Sequence, residues 1–264
     1  MKNKKFELLE YDTIRFEGHT LHRIKALKDF SDVKAGDLGG YIEKEENLSY
    51  VYDCWVYDHA KVYGTATVRD NATIHDNVVV CDYADVYENA ELYGDSRIID
   101  NGSVYGHATI MGSVIISEFG KVTETAIVSH KAKVYGNAIV CGDSRIYDTS
   151  RVYGNAIIDE DAVVKKNAIV CGTANIVGDA VIAKNAFIHN TNDYIVIGPI
   201  GIKHEYITFY HDTENHTIIN CLYANNTIST FNKIKKDIVK YDICNKRTIR
   251  DYSIAIKCAK KLLK

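Results

Sequence analysis

Proline is nearly absent. Pro199 is the only one in 264 residues, so loops built on proline kinks are not expected. No apolar run reaches the roughly 18 residues of a transmembrane helix. The N-terminal stretch from Met1 to Glu10 has basic residues but no apolar segment behind them, so no secretory leader is expected. Paired cysteine spacing is also missing. Cys54, Cys81, Cys141, Cys171, Cys221, Cys244 and Cys258 are odd in number, and no two have metal-ligand spacing. A reduced, cytoplasmic setting is the simplest expectation, with no membrane partner. Charge of one sign does not dominate the whole chain, whose formal net charge is −3, but it is unevenly spread. Residues 50–194 carry 11 basic and 19 acidic side chains, whereas residues 233–264 carry 11 basic and 3 acidic. An acidic soluble body with a solvated basic tail accounts for this. The sharper readings are an acidic partner for the tail, or a body that imitates nucleic acid. The tail lacks interleaved aromatics, so nucleic acid itself is not expected as a partner.

What the chain does have is a period of six. From Val56 to Ile188 every sixth residue is Val, Ile or Leu, giving 23 consecutive anchors without insertion or deletion. Four residues after each anchor the residue is small or β-branched in 22 of 23 cases, mostly Ala. In the unit Val134-Tyr135-Gly136-Asn137-Ala138-Ile139, Ala138 and the next anchor, Val140, are two apart. Both therefore face inward, and Ile139 faces out. The three residues after each anchor must turn the chain. The second of them is mostly Gly, Asp or Glu and the third is often Asn or Asp, and Gly and Asn tolerate the positive φ of tight corners. Three sides of six residues close a triangular coil of 18. The repeat then makes about 7–8 coils, a prism roughly 37 Å long at about 4.8 Å per coil. A helical period of 3.6 fits this pattern poorly. The period leaves the hand of the coil open.

The predicted domains are an N-terminal cap over 1–49, the repeat over 50–194 and a C-terminal α+β unit over 195–264. The cap contains strand-like Phe6–Leu9 and Leu21–Leu27, then a Gly-rich stretch, Ala35 to Glu43, read as a tight turn. In the last unit, Tyr206–His211 and Thr217–Leu222 suit a hairpin, and Ile228–Tyr241 and Lys246–Lys264 suit two helices. Capped ends argue against end-to-end filaments. The outward mid-strand residues from Lys61 to Thr109 are polar except Val79. From Ile115 to Phe187 eight of 13 are apolar. This predicts that the C-terminal half of the prism is covered, both by the terminal domain and by another subunit.

The segment Leu38-Gly39-Gly40-Tyr41-Ile42-Glu43, the join Cys54-Trp55-Val56-Tyr57-Asp58-His59-Ala60 and the Val-Tyr-Gly-Asn-Ala units together resemble a bacterial and prophage hexapeptide-repeat family. Its members are usually labelled acyltransferases without a demonstrated reaction. The resemblance covers nearly the whole chain and implies an all-β, left-handed parallel β-helix and a homo-oligomer, with a trimer favoured. It also implies host-directed, counter-defence partners: a host protein or a small signalling nucleotide.

Two functions compete. An acyltransferase of this class would bind acetyl-CoA between prisms and use a histidine as general base. His107 and His130, near corners of middle coils, are the candidates. Against this, the repeat is never broken by the loop on which many such enzymes build their acceptor site. No metal is expected, because His211 and His216 lie outside the prism. The other function is a non-catalytic binder. The residue after the anchor is Tyr eight times, and residues 18 apart stack, so Tyr87 lies over Tyr105 and Tyr135 over Tyr153. Such pairs suit ligands or partner proteins, and they equally stiffen a corner. The binder is preferred, with no cofactor.

Overall fold

A computed structural model describes residues 4–200, 204–221, 224–233 and 246–263. The repeat folds as predicted into a three-sided parallel β-solenoid of about 8 turns. Face I runs from Trp55–Val56 to Val181–Ile182, face II from Lys61–Val62 to Phe187–Ile188, and face III from Thr67–Val68 to Asn175–Ile176. Strands 18 residues apart pair in register, as Lys133 with Arg151 and Val134 with Val152. Every anchor from Val56 to Ile188 is fully buried, and the small residues between them fill the corners of one continuous core.

The corners follow one rule. Every sixth residue from Asp58 to Lys184, the second after each anchor, has positive φ. Nine of these are glycine; the others include Asp, Glu, Lys and His130. The asparagines one position later are not left-handed. They use their amides instead, Asn71 to Asn89 at 3.1 Å and Asn137 to Asn155 at 3.0 Å. The predicted role of Asn as a positive-φ residue is corrected accordingly.

At the N-terminal end, β1 (Phe6–Phe16) and β2 (His19–Ala26) form a hairpin, and β3 (Leu38–Ile42) joins β2 to face II. The double glycine is no turn. Gly39 and Gly40 lie within β3, where a Cβ would meet Val56 O and Ala60 O at 2.6 Å. Glycine is needed there for close approach of the cap to the first coil. The hairpin tip bends onto face II and forms a second small core with Tyr63, Val79 and Cys81. Val79, the one apolar outward residue of the N-terminal half, is covered for this reason. Lys5, fully buried, donates to the carbonyls of Tyr52 (3.2 Å) and Cys54 (2.8 Å) and so seals the open end.

At the C-terminal end, Tyr194–Ile200, Glu205–His211, Thr217–Cys221 and Ala224–Thr227 form a four-stranded antiparallel sheet. The predicted hairpin is its centre. The first and last strands escaped the sequence reading. Lys246–Leu262 is helical, and so are residues 228–233; the rest of the first predicted helix lies outside the described residues, as does Cys244. The terminal sheet reaches only the last coils, where Thr208 Oγ1 accepts the Val181 N–H and the Tyr210 hydroxyl donates to Ala183 O. Ile157 and Phe187 remain 36% and 43% exposed, and Ile115, Ile127, Ile139, Val163 and Ile169 are half-exposed. The expected cover by the terminal domain is thus corrected: a unit seated on the end of a prism cannot reach its middle coils. No helix among the described residues is long and apolar enough to cross a membrane.

Candidate functional site

The residue after each anchor points out from a corner, and the next coil repeats it 18 positions later. Each corner therefore carries a column of side chains one coil apart. On the corner between faces III and I, Tyr87 and Tyr105 stack with ring centroids 4.6 Å apart and planes 4° apart. The Arg69 guanidinium covers the outer face of Tyr87 at 3.8 Å. On the corner between faces II and III, Tyr135 and Tyr153 stack at 4.8 Å and 8°. The predicted pairs are both present. A third column was missed. Tyr57, His75 and Tyr93 stack at 4.3 and 4.7 Å between faces I and II. Its signal was available, because His75 occupies the same position in the repeat as the tyrosines.

The candidate histidines are not brought together. His107 lies on the corner between faces III and I, exposed, its Nε2 3.4 Å from the Asn89 amide in the Asn71–Asn89 ladder. His130 lies on the corner between faces I and II, exposed, at φ 64°, with Nδ1 3.0 Å from Ser129 Oγ.

The Tyr135 column has a gap. Tyr153 covers one face of Tyr135. The position one coil before Tyr135 is Ser117, too small to cover the other. A cavity of about 250 Å³ opens there, lined by Ile115, Ser117, Lys133, Tyr135 and Arg151. Lys133 and Arg151 are register partners on face II, and neither is in an ion pair among the described residues. Glu118, next in the chain to Ser117, already accepts the Gly136 N–H at 2.9 Å. Burial raises the Tyr135 hydroxyl pKa, opposed by Arg151. Tyr153 is raised first by its hydrogen bond to Cys171 and then by burial. Both tyrosines are therefore neutral near pH 7, with a flat ring and two free cations facing one slot.

Cys171 Sγ lies 3.5 Å from His189 Nδ1 and continues this column to the last coil. Cys171 is buried and Cys54, Cys81 and Cys141 are buried as well; all are free thiols. Neither a family model nor a curated protein matches the chain.

Proposed function

We propose that this protein is a non-catalytic recognition scaffold whose slot beneath Tyr135 takes a small nucleotide. The observation that carries this reading is the missing ring at Ser117, flanked by Lys133 and Arg151, neither in an ion pair among the described residues. A planar base inserted there continues the Tyr135–Tyr153 stack, and base–aromatic stacking contributes about 1–3 kcal/mol. The two cations then meet its phosphate, the guanidinium in bidentate fashion. The uninterrupted solenoid and the separate placing of His107 and His130 support recognition over acyl transfer from acetyl-CoA. Resemblance to prophage chains makes a host signalling nucleotide, used in counter-defence, the first ligand to try. Calorimetric titration with AMP tests the site. Saturable binding that falls by about ten-fold or more in Tyr135→Ala and Arg151→Ala is expected. Binding that ignores both substitutions removes the slot from consideration.

A second copy of the chain is the proposed partner for the uncovered half of the prism. Its corners segregate charge. Glu124, Asp143, Asp159, Glu160, Asp161 and Asp179 lie between faces III and I, whereas Lys131, Lys165, Lys166 and Lys184, with the carboxylate of Asp148 among them, lie between faces I and II. On face I, between these ridges, the half-exposed Ile127, Val163 and Val181 supply the apolar contact.

A further inference from the structure

A larger cavity, about 590 Å³, lies where the cap meets the first strand of face III. Its floor is Leu48 and Val68, both buried, and its wall is Tyr50, stacked on the buried Phe6 at 4.7 Å. Its rim is Arg69 with Lys4, Glu45 and Glu46. Arg69 is fixed. Its Nη2 donates to Asp85 at 2.8 Å, its Nη1 donates to Asp70 at 3.2 Å, and one face of its guanidinium rests on Tyr87. Thr67 Oγ1 in turn orients Asp85 at 2.5 Å. The opposite face of this preset cation is left for the cavity. Lys4 is taken by Glu45 at 2.5 Å. Glu46 is exposed and forms no hydrogen bond or ion pair among the described residues.

The charges decide which ligand fits. Glu45 and Glu46 line the cavity with Lys4 and Arg69, and Asp70 and Asp85, both bonded to Arg69, add two further carboxylates behind it. This excess of negative charge repels phosphate, in contrast to the slot at Tyr135. It attracts N–H donors. A flat heterocycle gains a stacking surface on Arg69 and an apolar floor. A pair of parallel N–H groups on its edge matches one carboxylate. We propose that the cavity binds a guanine-type base, as base or nucleoside rather than nucleotide, with the ring on Arg69 and its two adjacent N–H groups donating to Glu46.

The test is calorimetric titration of the full chain with guanosine, adenosine and GMP. Guanosine is expected to bind saturably, and adenosine, which lacks the paired donors, about ten-fold more weakly or worse. In the Tyr135→Ala chain, where the nucleotide slot is removed, GMP is expected to bind more weakly than guanosine. Glu46→Gln, at an exposed position without structural contacts, should weaken guanosine by about ten-fold. Tyr135→Ala should leave guanosine affinity unchanged, which separates this site from the nucleotide slot. Absence of saturable guanosine binding, equal affinity for adenosine, an indifferent Glu46→Gln, or loss of binding in Tyr135→Ala each overturns the assignment.

Discussion

The acidic character of the prism has a local cause at the level of single residues. Asp and Glu at the positive-φ corner positions accept a backbone N–H from the next coil. Asp82 accepts from Asp100 (3.2 Å), Asp100 from Glu118 (3.0 Å) and Glu118 from Gly136 (2.9 Å). Each carboxylate satisfies a donor that a tight corner would leave to solvent. The negative charge of residues 50–194 is thus largely corner chemistry, and imitation of nucleic acid is not needed to explain it. Asp100→Ala, losing the acceptor and strained at φ 56°, should destabilise by about 1–2 kcal/mol in urea unfolding. Asp100→Gly should be milder because glycine relieves the backbone strain, and Asp100→Asn mildest because an oxygen acceptor remains. Equal costs for all three would refute the corner account. The anchors and the tyrosine pairs were legible in the sequence because they repeat at fixed spacing. The slot was not, since it consists of a side chain too small for its column. Ser117, 18 before Tyr135, is its only trace.

Elements that break the period were read less well, because nothing periodic announces them. The hairpin of β1 and β2 is held to face II by Glu17, which accepts from Arg97 at 3.0 and 3.1 Å and from the Tyr63 hydroxyl at 2.6 Å. Lys61 lies over the Phe16 ring at 5.0 Å. Arg97 first, then Tyr63, hold the Glu17 carboxyl below its usual value of 4.5. A depressed carboxylate stabilises docking above that usual value and loses the effect as pH falls through its lower folded value. Glu17 and Arg97 are half-exposed, so the consequence is local opening of the tip rather than unfolding. Amide exchange over residues 14–22 should therefore be slow at neutral pH and accelerate in acid beyond the intrinsic rate. Glu17→Gln should remove the pH dependence. The join of the cap is steric. Gly40→Ala puts a Cβ 2.6 Å from Ala60 O and 2.8 Å from Val56 Cγ1. It should cost about 1–3 kcal/mol, read as a lowered melting temperature. The sequence reading saw these glycines as a turn, since glycine spacing alone does not distinguish a bend from a close approach.

At the scale of the whole molecule, a sealed prism exposes its information on corners and faces. Its N-terminal end is closed by Lys5 and Trp55, and its last coils by Tyr194 and Tyr210. The uncovered Ile127, Val163 and Val181 of face I, set between an acidic and a basic ridge, predict side-by-side self-association. Light scattering after size exclusion should give a mass above the 29.7 kDa chain. The mass should drop towards the monomer at high salt, or when Asp161→Lys is combined with Asp179→Lys. A monomer at every concentration contradicts this. The central claim, recognition in place of acyl transfer, is tested most directly by titrating AMP and acetyl-CoA against the wild-type chain and three variants. Tyr135→Ala should weaken AMP binding by about ten-fold or more, and His107→Ala and His130→Ala should leave it intact. Tight acetyl-CoA binding that survives Tyr135→Ala but is lost in His107→Ala or His130→Ala would contradict the account.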